Sequence, residues 1–131
     1  MERRAINPWS WQDQYGFSQA IEVRDHSRTL YCAGQTSVDA NGTPMHPGDM
    51  RAQLELAMDN LEAVLNQAGF KLADVVRLNI HTTDVDKTLE SIGEIAGRLS
   101  AVGCQPAMML LGVSRLAFPE LLVELEASAV V

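Results

Sequence analysis

Lysine is nearly absent from this chain: among 131 residues only Lys71 and Lys87 are lysines, and the formal net charge is −7. A protein that holds nucleic acid carries a basic stripe to neutralise phosphates. Here the basic residues cluster no further than Arg3-Arg4 and the spaced pair Arg24 and Arg28, so no nucleic-acid partner is expected. Cysteine is equally scarce. Cys32 and Cys104 stand far apart, which excludes a disulfide framework and predicts two free, buried thiols in a reducing cytoplasm. No apolar run approaches the ~20 residues that cross a bilayer. Met1-Glu2-Arg3-Arg4-Ala5 leads into Asn7, Pro8, Trp9 and Gln12 rather than the apolar core of a signal peptide. No membrane association and a cytoplasmic location follow as expectations.

Several chemical signatures are missing too. His26, His46 and His81 lack ligand-like spacing and no Cys, Asp or Glu beside them completes a metal pattern. No G-x-S-x-G surrounds a serine, and neither G-x-G-x-x-G nor a P-loop is present, so Gly34-Gln35 is no phosphate loop. Neither a metal nor another cofactor is called for.

What is present reads as one domain spanning residues 1–131 with its own core. Residues 1–14 look irregular, with Trp9 and Trp11 either packing this tail onto the body or walling a ligand cleft. Phe17 to Val23 alternates, Arg24 to Arg28 is a polar turn, and Thr29 to Gln35 returns, which predicts an N-terminal hairpin. Asp39-Ala40-Asn41-Gly42 signals a further turn. Asp49 caps a helix whose stripe is Met50, Leu54, Ala57, Leu61, Leu65 and Ala68, ended by Gly69. Val75 to Thr82 alternates as a strand. Asp84 or Asp86 caps a second helix with the stripe Leu89, Ile92, Ile95, Leu99 and Val102; Gly93 and Gly97 are expected to let it approach the sheet closely.

The last quarter organises the rest. Pro106-Ala107-Met108-Met109-Leu110-Leu111-Gly112 has the signature of a strand apolar on both faces, a signal that a short buried helix shares. Val123, Leu125 and Ala127 then alternate with Glu124, Glu126 and Ser128. Joined by a Pro-containing loop, the two predict a hairpin-like unit. The order is therefore β-β-α-β-α-β-β in the α+β class, and crossover connections put both helices on one face of a mixed sheet. The other face, with its apolar 107–111 run, would be an exposed patch in a monomer, so a self-association partner is expected.

Pro106-Ala107-Met108, Arg115-Leu116 and Val123-Glu124-Leu125-Glu126-Ala127 together resemble the RidA/YjgF family, the reactive-intermediate deaminases also labelled endoribonucleases or translation inhibitors. The resemblance covers nearly the whole chain. It implies a chorismate-mutase-like fold and a homotrimer with small-molecule clefts between subunits. It also implies hydrolytic deamination of an enamine or imine, with a non-catalytic small-molecule-binding member as the alternative. In that pattern Glu124 matches the glutamate that positions water, and Gly34 and Gln35 match a cleft-lining Gly-Gln. Phe17 takes a tyrosine position, Ala33 a serine position and Ile92 an asparagine position. Met108 stands where the family carries the arginine that binds the substrate carboxylate. Glu124 is thus the catalytic candidate, and Phe17, Gly34, Gln35 and Met108 are the ligand-binding candidates.

Each has a plainer reading as well: Met108 as core filling, and Glu124 as an outward residue of an alternating strand. Replacements running from polar to apolar imply an altered, more apolar ligand preference. Arg115 does not compensate, since relatives of this pattern already carry an arginine there. A chorismate-mutase-like enzyme would need more cationic residues, and a ribonuclease reading fails on charge.

Overall fold

The computed structural model describes residues 1–131. Asp49 starts the longest element: its carboxylate accepts from Ala52 N at 3.1 Å, satisfying one of the free N–H groups of a helix start. Helix α1 then runs Met50–Gln67 and buries Met50, Leu54, Ala57, Met58, Leu61 and Leu65. Gly69 follows at φ 78, the left-handed geometry glycine takes after a helix. Gln53 is buried among these apolar residues because its amide is fully employed. It accepts from Leu122 N at 2.8 Å and donates to Glu120 O at 2.8 Å and His46 O at 3.1 Å. That ties α1 to the loop entering the last strand.

The remaining elements are β1 (Glu2–Ile6), a 3-10 turn (Trp11–Tyr15), β2 (Ala20–Arg24), β3 (Thr29–Tyr31), β4 (Gln35–Thr36), a 3-10 turn (Leu72–Asp74) and β5 (Val75–Thr82). After them come α2 (Val85–Glu90), α3 (Gly93–Ala101), β6 (Ala107–Gly112) and β7 (Val123–Val130). The main sheet has the order β3-β7-β5-β6, with β4 also on β7. Strands β5 and β6 are parallel and joined through α2 and α3, while β7 runs antiparallel to β5. Helix α1 contacts both α2 and α3. Together they cover the face bearing Leu78, Ile80, Val123, Leu125, Ala127 and Ala129, all in the core.

Several expectations need correction. The N-terminal segment is not irregular throughout, since β1 pairs with β2 from Glu2↔Arg24 to Ile6↔Ala20. The predicted N-terminal hairpin does not form. Strand β3 pairs with β7, while the approach to β2 reaches the far edge of the sheet, where Ser18 bridges Ala107. The turn between them turns its N–H groups elsewhere: Ser27 N and Arg28 N both donate to Val131 O, at 2.8 and 3.0 Å. Nor do β6 and β7 form a hairpin, because β5 lies between them. Alternation made β7 a good partner for any half-buried strand, and β5 offers the longest such ladder, Val75↔Ala129 to Thr82↔Val123.

The second predicted helix is two. Asp84 caps α2 through Lys87 N at 3.0 Å. Thr88 is buried with its hydroxyl 2.7 Å from Thr82 Oγ1, and the chain breaks before Gly93, a poor helix former. Leu89 and Val102 are exposed, so the apolar stripe is narrower than the spacing suggests. Gly93 and Gly97 do not abut the sheet; a Cβ at either would meet nothing within 4 Å. Finally, the uncovered sheet face is less apolar than expected. Strands β5 and β7 present Asn79, His81, Glu124 and Glu126 there, while Met109 and Leu111 of β6 and the exposed Tyr31 of β3 supply apolar surface.

Candidate functional site

Alternation on β7 decides where Glu124 goes. Leu125 is in the core, so Glu124 points to the opposite face, beside its cross-strand partners His81 on β5 and Thr36 on β4. Directly opposed residues share a face at contact distance. A groove of about 210 Å³ opens there, lined by Gly34, His81, Val113, Arg115, Leu116, Glu124 and Glu126.

Gly34 makes room for the Glu124 side chain rather than serving a turn. A Cβ there would overlap Glu124 Oε1 and lie 2.6 Å from Cδ and 2.9 Å from Cγ, so the carboxylate rests on the bare backbone of residue 34. Glu126 accepts from Asn79 Nδ2 at 3.0 Å. Glu124 has no such partner: its half-buried carboxylate enters no hydrogen bond or ion pair. Arg115 donates through Nε to Leu116 O at 3.3 Å, and its guanidinium forms no salt bridge. The groove therefore holds one uncommitted carboxylate, an imidazole and a guanidinium with free donors.

Gln35 lies outside this set. It opposes Leu125 on β7, hence projects to the helix side, and its amide donates back to Ala33 O at 3.2 Å.

Phe17 and Met108 come together in a second groove. Met108 pairs with Leu78 and packs against the core, which puts it on the helix side of the sheet. With Tyr15, Phe17, Ile80, Leu89, Ile92, Met109 and Leu110 it lines a pocket of about 200 Å³ whose walls are entirely hydrophobic residues. Trp11 braces Phe17 edge-to-face, ring centroids 5.8 Å apart at 75°. Gln105 fixes this segment to the start of β6, donating to Phe17 O at 2.9 Å and to Asp13 Oδ1 at 3.0 Å. Neither tryptophan fills the role expected of it: Trp9 and Trp11 are both exposed and line neither groove, and Trp11 only braces Phe17.

The five candidate residues therefore divide. Gly34 and Glu124 share a polar groove, Phe17 and Met108 an apolar one, the two lie on opposite faces of one sheet, and Gln35 lies in neither. Sequence reasoning did not place Tyr15, Leu89 or Arg115 in a site. Tyr15 falls two residues before Phe17, a spacing that could have drawn attention to it; Leu89 was absorbed into a helix stripe. Neither cysteine lines either groove. Burial raises the Cys32 thiol, and burial also pushes Cys104 up to about 11, helped by Asp74 and opposed by Arg3. Cys104 Sγ donates to Val75 O at 3.3 Å. No three His, Cys, Asp or Glu side chains converge as metal ligands would. A larger furrow of about 570 Å³ lies between the Trp11–Tyr15 turn and α3, with Gly93 and Gly97 on its floor, and contains none of the five.

Comparison with known proteins gives a consistent result. The profile of the family described as Endoribonuclease L-PSP matches residues 11–131. Protein DfrA of Myxococcus xanthus is 35% identical over 117 residues, covering 88% of this chain and 87% of that one. A 2-iminobutanoate/2-iminopropanoate deaminase of Dermatophagoides farinae is 34% identical over 64 residues, 49% of this chain and 48% of its own. Among solved structures, the Rid-family protein YyfB from Yersinia pestis, described as of unknown function, superposes with a TM-score of 0.85 at 38% identity, covering 100% of both chains.

Proposed function

The chain belongs to the RidA/YjgF (endoribonuclease L-PSP) family, and from that premise we propose that it is a small-molecule protein of the cytoplasm whose site is completed between copies of a homotrimer. In one chain the two grooves face away from each other, so a cleft using both draws Gly34 and Glu124 from one copy and Phe17 and Met108 from the next. The chemistry is hydrolysis of an enamine or imine. Water adds through oxygen to the C=N carbon while Glu124 accepts its proton, and the nitrogen takes up a proton. The carbinolamine then collapses to a carbonyl compound and ammonia.

One observation carries this reading: an uncommitted carboxylate seated on Gly34 in a groove shared with His81 and Arg115. A glutamate that only decorated the surface would not need a bare backbone beneath it. The partial likeness to an imine deaminase supports the same reaction class.

A second reading, a non-catalytic binder, is favoured by the other groove. Met108 and its neighbours offer no cation to hold a substrate carboxylate. The two separate in an ammonia-release assay against imines of varied side chain. Hydrolysis of any of them that Glu124→Gln abolishes supports the enzyme. Ligand binding without turnover, indifferent to Glu124→Gln, supports the binder.

A further inference from the structure

We infer that the Met108 pocket is a binding subsite for an uncharged aromatic or branched-alkyl group, and that the ligand of this protein carries such a group in place of a small, carboxylate-bearing end. The inference rests on the shared-cleft reading only for where the ligand's polar end goes. The pocket stands on its own geometry.

Its volume is about 200 Å³; an apolar cavity of about 150 Å³ stays free of water and accepts benzene. Water that enters this open groove is poorly held, since it needs two to four polar partners and the lining side chains offer one hydroxyl, that of Tyr15. That hydroxyl has no partner within the chain, and Tyr15 is 42% exposed, which leaves a single hydrogen-bonding handle for a neutral polar atom of the ligand. Phe17, held by Trp11, gives a ring face or edge for an aromatic guest. Met108 and Met109 add polarizable, adaptable thioethers, which suit groups of varied outline. No cationic side chain lines the pocket, so a carboxylate placed there would be desolvated without a partner. Leu89 is 47% exposed, an apolar residue on the rim where an entering group would meet it.

The test uses the full-length protein with [methyl-13C]methionine and two probes of similar size, benzyl alcohol and phenylacetate. Of the six methionines, the methyls of Met108 and Met109 should shift on titration with benzyl alcohol, while those of Met1, Met45, Met50 and Met58 stay in place. Phenylacetate should bind at least about tenfold more weakly, because its charge is unpaired in the pocket. Leu89→Glu, a change at an exposed rim position that folding tolerates, should weaken benzyl alcohol by a similar factor. Met108→Arg should reverse the preference between the two probes. Probe binding is read without turnover, so this inference survives a failure of the hydrolytic reading.

Absence of shifts at Met108 and Met109, or equal affinity for both probes, would overturn it. So would methyls that respond to dilution of the assembly but not to the probe, since a side chain of a second copy would then fill the pocket.

Discussion

Alanine at position 34 should separate the function of this protein from its stability. Gly34 is exposed and its φ lies outside the left-handed region, so the backbone itself accepts a side chain. At such a site Gly→Ala stabilises by about 0.4–1 kcal/mol by restricting the unfolded chain. The new Cβ, however, would overlap Glu124 Oε1 and crowd Cδ at 2.6 Å. The carboxylate is the free end of a flexible side chain and can swing away, at a rotamer cost of about 0.5–1.5 kcal/mol. The two effects nearly cancel, so the melting temperature of Gly34→Ala should stay close to the native value.

In a Glu124→Ala background nothing is displaced, and the same substitution should stabilise. The coupling between the two positions should be about 0.5–1.5 kcal/mol, a difference of about 2–5 °C in melting temperature for a chain of this size. Thermal melts of the four proteins at one protein concentration measure it. Any Glu124-dependent hydrolysis should be lost in Gly34→Ala with the fold intact. Equal effects of Gly34→Ala in both backgrounds would refute the close approach on which the site rests.

Light scattering should find a trimer of roughly 43 kDa, three times 14.3 kDa; a stable monomer would remove the shared cleft altogether. The native chain should hydrolyse 2-iminobutanoate-like substrates negligibly. A charge-assisted bond lost to a thioether costs a few kcal/mol, on the order of a hundredfold or more in rate. Met108→Arg should recover part of that activity, and native turnover equal to an arginine-bearing relative's in one coupled assay would contradict the assignment. Thiol titration of denatured, unreduced protein should count two per chain. In the native protein Cys104 should alkylate slowly at pH 8, because burial holds its pKa near 11 against an ordinary 9.0. The sign for stability follows: the unfolded thiol loses its proton first, so Cys104 disfavours folding progressively as pH rises from about 9 to about 11.

Element identity was largely legible in the sequence, whereas pairing was not. Asp49, the stripe from Met50 to Leu65, and Gly69 define α1 by local rules, and α1 forms within them. Alternation likewise marked β5 and β7, whose inward residues fill the core. Partners are set by non-local choices that spacing does not encode. Strand β6 reads as a strand apolar on both faces, yet it is the edge strand of the sheet, with Met108 and Leu110 packing inward on one side. The break between α2 and α3 falls just before Gly93, a poor helix former, but the unbroken apolar spacing from Leu89 to Val102 outweighed that signal.

The site shows the same division. Residue-by-residue likeness named Glu124, Gly34, Phe17 and Met108, but it could not say that they belong to two grooves. Strand register decides it: Met108 pairs with Leu78 and Glu124 with His81, residues on opposite faces of β5, and neither strand's spacing encodes that register. Register likewise sets Gln35 opposite Leu125.

Glu124 of one copy and the Met108 pocket of another are proposed to form one site. A crystal structure of the protein with a bound neutral aryl imine analogue tests it most directly. The ring should lie among Phe17, Leu89 and Met108 of one copy, with the polar end within hydrogen-bonding distance of Glu124 from a neighbouring copy. A ligand contacted by only one copy, or one bound away from both grooves, would contradict it.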